Sequence, residues 1–261
     1  MNMKKRSKVL LCMAIFIVGT QVSLAHEEES AEDPTLTFAF DQTYSSKYMW
    51  RGYDVFGENS AYMPSVDIDL FQTGWSLNVW AAVPMGSGSE SLSELDYTFA
   101  YNTTFFEDEA HQADVTANWI YYDFYKANNT TTPDAVEFGV GMEFPNLLGD
   151  SGLTPSIYGA TLDSAEDNVG FEVDGNYYTF ALSYDFSCPQ TDQEFNITAD
   201  VHYNDGLFAA DHDWSHSTYT LSTSYDVNGV SVSPFLSYQS TMEDSVNPDS
   251  SELWGGVSMS F

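Results

Sequence analysis

The chain has 261 residues, 43% of them hydrophobic and 16% aromatic, with a formal net charge of −32. Four of the seven basic residues precede residue 9 and all 39 acids follow it, so the rest of the chain sets three basic residues against 39 acids, which excludes nucleic acid as a partner. The aromatic content excludes the disorder that charge alone would suggest, so the acids belong on solvated surfaces of a folded protein, as a function or as an adaptation to salt.

Lys4, Lys5, Arg6 and Lys8 precede an apolar run from Val9 to Val18, and Ser23-Leu24-Ala25 follows. This reads as a secretory signal over 1–25, cleaved after Ala25. The run is too short to span a bilayer as a helix, and no later stretch reaches the roughly 20 apolar residues required. Cys12 sits inside the run, so Cys188 is the only cysteine left and no intramolecular disulfide is expected. Residues 26–34 have no apolar period and form an acidic leader.

From residue 35 to 261 the dominant period is two. Leu36, Phe38, Phe40, Tyr44, Tyr48 and Trp50 share one parity, while Thr37, Asp41, Thr43, Ser45 and Lys47 take the other. Similar segments recur at 62–71, 75–84, 95–105, 112–125, 135–144, 153–162, 176–186, 194–203, 217–226, 230–239 and 252–261. With the first, read over 36–50, they predict twelve strands of the length that crosses a membrane when tilted.

The intervals alternate in length. Short turns are expected at 72–74, 106–111, 145–152, 187–193 and 227–229, and longer acidic loops at 51–61, 85–94, 126–134, 163–175, 204–216 and 240–251. Short periplasmic turns opposite long outer loops are the asymmetry of an outer-membrane barrel. Aromatics sort likewise: Phe71, Trp75, Phe105, Phe144, Phe186, Phe195, Tyr225 and Phe261 at one rim, Tyr48, Trp50, Tyr62, Tyr121, Tyr178, Tyr203, Tyr219, Tyr238 and Trp254 at the other. The expected fold is an all-β, antiparallel, up-and-down transmembrane barrel in the bacterial outer membrane, among lipid and lipopolysaccharide. Its last strand sets Leu253, Val257, Met259 and Phe261 against Gly256, Ser258 and Ser260, and Phe261 is the expected signal to the barrel-assembly machinery.

Ser46-Lys47-Tyr48-Met49-Trp50-Arg51-Gly52 resembles the first-strand signature of the TorF-type porins, a group of proteobacterial barrels. Pro64-Ser65-Val66, Glu94-Leu95-Asp96-Tyr97 and Trp119-Ile120-Tyr121-Tyr122-Asp123 resemble further segments of that family in the expected order. The resemblance implies a small outer-membrane barrel and transfers no catalytic or binding residues.

If the apolar parity faces lipid, the other faces the lumen. It places Asp41, Asp67, Asp69, Asp96, Asp114, Glu137, Glu143, Asp185, Glu194 and Asp200 on the pore lining, with Asn78 and Asn118, and Lys47 and Arg51 at the outer mouth. Twelve strands fall between barrels filled by side chains and open porins. The lumen is therefore a narrow pore, or one blocked by Trp80, Tyr122, Tyr158 or an infolded loop. An acidic lining favours small cationic or neutral solutes over anions, and Arg51 is suited to a bridge to a wall carboxylate that positions a loop.

The sequence offers three other readings. Acidic loops, notably 164–174, suit a structural or adhesive barrel. The segment Asp205 to Ser217 holds His212, acids and Ser215, the ingredients of a lipid hydrolase, but sequence proximity does not make a triad, and no catalytic residue is assigned. His212, Asp213 and His216 lack the spacing of a structural zinc site, and Asp163 to Asp174 lacks that of an EF-hand, so no metal or cofactor is expected.

Overall fold

The structure is a computed structural model that describes residues 35–127, 134–165, 173–242 and 251–261. The signal and leader segments lie outside the described residues, as does most of 164–174. Fifteen strands are present among the described residues: β1 (Thr37–Ser45), β2 (Met49–Trp50), β3 (Tyr53–Asp54), β4 (Ala61–Asp69), β5 (Trp75–Pro84), β6 (Glu94–Phe105), β7 (Ala113–Asp123), β8 (Ala135–Glu143), β9 (Leu153–Ser164), β10 (Gly175–Ser187), β11 (Glu194–Asp205), β12 (His212–Thr223), β13 (Tyr225–Val227), β14 (Val230–Thr241) and β15 (Glu252–Ser260).

Twelve of these strands, of nine to thirteen residues, form the wall, each pairing antiparallel with its neighbours. β1 pairs β15, with Tyr44 opposite Val257, and β12 pairs β14, with Tyr219 opposite Tyr238, so the sheet closes and no wall strand has a free edge. β13 continues β12 to a two-residue turn at Asn228 (φ 57°) and Gly229 (φ 84°), the Asn-Gly sequence that a type I′ hairpin demands.

The wall is apolar outside and polar inside. Phe40, Phe99, Trp119, Phe138, Phe180, Ile197, Leu221, Leu236 and Leu253 are exposed, while Asn78, Asn118, Ser156, Asn196, Thr198, Ser233 and Ser237 are buried. A polar interior beneath an exposed apolar belt satisfies the backbone through inter-strand bonds and gives lipid only side chains it can solvate.

The structure departs from the sequence expectation in three places. β1 ends at Ser45 instead of running to Trp50, because the chain turns into the barrel. Tyr48 and Trp254, expected in the outer aromatic girdle, are buried and line the interior, and Trp50 packs there with them. β12 begins at His212, so the expected loop 204–216 shrinks, and a register shift between His202 and Tyr203 accommodates the extra residue.

Candidate functional site

The interior is organised by residues 46–60. Ser46 is pinned to the rim of β15, its N–H donating to Gly255 O (2.9 Å) and its Oγ accepting from Gly255 N (3.1 Å). The chain then runs inward as the β2–β3 ribbon, in which Trp50 pairs Tyr53 around Arg51 (φ 50°) and Gly52 (φ 93°). Both central residues of such a tight hairpin need positive φ; glycine takes it freely, whereas arginine accepts strain that its contacts must offset.

Those contacts are ionic. Arg51 Nη2 lies 2.5 Å from Glu137 Oε2, with the side chains 4% and 1% exposed. The same Oε2 accepts Tyr122 OH (2.8 Å), and Oε1 accepts Tyr158 OH. The guanidinium also lies over the rings of Trp50 (4.9 Å) and Tyr177 (4.8 Å). Gln239 Nε2 donates to Gly52 O (3.0 Å), tying the hairpin tip to β14 as well as β8.

At the rim Lys47 Nζ meets Glu58 (2.8 Å), Glu252 (2.8 Å) and Asp54 (3.4 Å). Burial pulls its pKa down, but the bonds to Glu252 and Glu58 and the charge of Asp54 outweigh that, and the ammonium is held above its ordinary value. Lys47 and Arg51 are therefore both neutralised by carboxylates.

Packing completes the plug. Phe56 is fully buried with Tyr48, Ala61 and Ala82; Tyr177 packs with Ala160, Leu162 and Leu207; Tyr122 packs with Ala135 and Val173. Trp50 touches all three groups and meets Tyr122 and Phe208 edge-on, with ring centroids 5.6 Å and 5.4 Å away. The outer half of the lumen is filled by this ribbon and the wall aromatics.

Two cavities border it among the described residues. The larger, about 210 Å³, runs from Lys47, Tyr48 and Trp50 to Ser258 and Ser260 near the end of β15. The smaller, about 100 Å³, lies against Arg51, Glu137, Tyr177 and His202. Met49, Trp50, Tyr122, Thr220 and Trp254 border both.

Seven of the fourteen residues assigned to the lining border these spaces. Asp41, Lys47, Asn78 and Asp96 border the larger cavity, and Arg51, Glu137 and Asp200 the smaller. Asp67 accepts Asn78 Nδ2 (2.8 Å), and Asn118 Oδ1 lies 3.4 Å from Tyr158 OH. Asp69, Asp114, Glu143, Asp185 and Glu194 border neither and lie toward the opposite strand ends, where Asp69 caps a turn through Gln72 N (2.7 Å) and Asp185 accepts Asn196 Nδ2 (2.7 Å).

Three interior groups go beyond the sequence reading, which leaves Glu94 and His202 unassigned and sets His216 in a loop. Glu94, 2% exposed, accepts Tyr48 OH (2.9 Å) and shares its parity with Asp96. His202 and His216 stack with centroids 4.2 Å apart, and His202 bonds Asp200 (2.8 Å) and Thr179 (2.9 Å). His202 lies on the strand whose inward parity Asp200 marks, and His216 stands opposite it on β12.

The hydrolase set is not assembled. His212 bonds Asp205 (2.6 Å) at the exposed rim, whereas Ser215 bonds His216 (2.8 Å) and is fully buried. Among the described residues no His, Cys, Asp and Glu cluster has the arrangement of a metal site.

No known family profile and no curated protein matches the chain. Among solved structures it is similar to the NanC porin, with a TM-score of 0.51 and 11% identity over 86% of this chain and 99% of that one. The fold is that of an outer-membrane porin. Weaker likenesses include LpxR from Salmonella typhimurium (TM-score 0.45, 9% identity, 85% of this chain and 99% of that one) and OccAB3 of Acinetobacter baumannii (0.42, 10%, 89% and 65%). At such identities the comparison speaks to fold alone.

Proposed function

We propose that this barrel is an outer-membrane channel for small cationic or neutral solutes, closed at its outer mouth by residues 46–60. The observation that carries the reading is the ion-paired ribbon that borders two adjoining cavities whose walls mix aromatic rings with polar side chains. The heptad Ser46 to Gly52 that bears the TorF-type resemblance is the segment that enters the lumen, and we take it as the gate. With Lys47 and Arg51 already neutralised, Asp41 is left as an acid without a basic partner at the wall of the larger cavity, which favours cations. We take Phe261, exposed beside β1 with its N–H on Phe40 O (3.0 Å), as the residue that the assembly machinery reads.

The filled outer mouth also favours a second reading, a non-conducting adhesive barrel acting through its acidic loops. Planar-bilayer recording in a salt gradient separates the two. A channel of this kind shows a reversal potential of cation-selective sign. Anion selectivity overturns the acidic-lumen reading, and absence of conductance even after removal of the ribbon selects the adhesive one.

A further inference from the structure

The larger cavity has two chemically different sides. The register of β1, β15 and β14 sets Asp41, Ser260 and Ser231 side by side in one rung of the wall, and Thr43, Ser258 and Ser233 in the next. All six border the cavity, and all but Ser233 are partly exposed to it. Neighbouring strands stand about 4.8 Å apart and successive inward residues of one strand about 7 Å apart. The patch is therefore a grid of five hydroxyls and one carboxylate on the scale of a single small ring. A hydroxyl both donates and accepts, and Asp41, which has no basic partner among the described residues, accepts only.

One rung further out the chemistry changes. Phe235 stands opposite Gly256 and its ring covers that glycine, where an added Cβ would lie 2.6 Å from the ring. A ring laid against the wall turns its other face to the lumen. β7 lies diametrically opposite β14, six strands away in either direction. There Trp80 and Tyr122 stand on either side of Asp96, and Trp50 of the ribbon meets Tyr122 edge-to-face (5.6 Å). All four rings border the cavity, whose volume of about 210 Å³ accommodates one hexose.

A solute that answers both sides carries hydroxyls around its rim and apolar C–H groups on a flat face. An apolar ring with few hydroxyls would leave the rungs unanswered. A short linear polyol has no face to lay on Phe235. A carboxylated sugar would set a second anion beside Asp41. A quaternary ammonium would use the aromatic rings and Asp41 but none of the hydroxyls.

We propose that the larger cavity binds a neutral monosaccharide in its ring form, its hydroxyls on the two rungs of β1, β15 and β14 and its C–H face on Phe235. The assignment names a solute class for the proposed channel and rests on that reading for its biological sense. Binding is measured apart from conduction, so the two fail separately: conductance without binding overturns this site, and binding without conductance overturns the channel.

The test uses the purified full-length barrel in a polyoxyethylene detergent, which carries no sugar. Glucose, galactose and mannose are titrated separately and followed by calorimetry and by tryptophan fluorescence, since Trp50, Trp80 and Trp254 border the cavity. At least one of the three is expected to bind saturably, with cyclohexanol, glycerol, glucuronate and choline at least about tenfold weaker. Phe235→Leu, and the pair Ser231→Ala with Ser260→Ala, should each weaken that sugar about tenfold, each variant being checked for folding by heat-modifiable gel migration. The comparison of solutes on the wild-type barrel stands even where a variant does not fold. The proposal is overturned if none of the three sugars binds saturably, if any of the four control solutes equals the best of them, or if either folded variant keeps wild-type affinity.

Discussion

Replacing Glu137 by glutamine keeps the volume of the side chain and removes its charge. Arg51 would then be an uncompensated cation in a site that is 4% exposed. Removing one partner of a buried pair costs about 3–5 kcal/mol. The ribbon escapes that penalty by leaving the lumen, where the guanidinium is hydrated again. Leaving exposes Trp50 and the fully buried Phe56, at about 1.5–3 kcal/mol each. The two terms are of the same size, so the variant should populate the released ribbon substantially, a shift of about 10²–10³-fold from wild type. Beyond the first eight residues the only trypsin sites are Lys47, Arg51 and Lys126, which makes limited proteolysis a direct assay. Wild type should be cut at the exposed Lys126 alone, and Glu137→Gln also at Arg51 and Lys47. The paired change Arg51→Met with Glu137→Leu removes both charges and should keep Lys47 protected. The reasoning is refuted if Glu137→Gln protects Arg51 as wild type does, or if the double variant releases the ribbon equally.

Two further outcomes follow from the wall. Gly139→Ala would place a methyl on the Tyr158 phenol and on Asn118 Oδ1, so Tyr158 must abandon Glu137; the expected result is loosening of the ribbon, read as new cleavage at Arg51, and unchanged protection would contradict it. Phe138→Arg puts a cation on the lipid face of β8, where Phe138 is 59% exposed, and should lower folding stability in lipid vesicles by about 2–4 kcal/mol near the bilayer midplane. A neutral effect in a denaturant titration would argue against lipid contact there.

Most of the wall was legible because one physical constraint, apolar outward and polar inward, acts on every strand with period two. Phe40, Phe99 and Leu236 obey it, and so do Asn78, Asn118 and Ser233. The infolding of 46–60 was not located by that constraint, since the alternation through Tyr48 and Trp50 continues past the end of β1. The local signal is Arg51-Gly52, where a glycine at the second turn position permits the reversal, but nothing in the sequence says whether the hairpin turns toward solvent or toward Glu137. Trp254 was misplaced because a rim-aromatic rule was allowed to override the parity that Leu253 and Val257 define. His202 is neither a carboxylate nor an amide, the residue types that mark the lining in the sequence, and the register shift at His202/Tyr203 disguises the start of β12, so that His216 reads as a loop residue.

The central claim is that residues 46–60 fill a lumen that would otherwise conduct. Single-channel conductance of a barrel in which residues 47–58 are replaced by an Asn-Gly turn tests it most directly, beside wild type in the same bilayer and salt gradient. The account expects a larger, steady, cation-selective conductance in the shortened barrel and a smaller one in wild type. Equal conductances, or an anion-selective reversal potential in the shortened barrel, would contradict it.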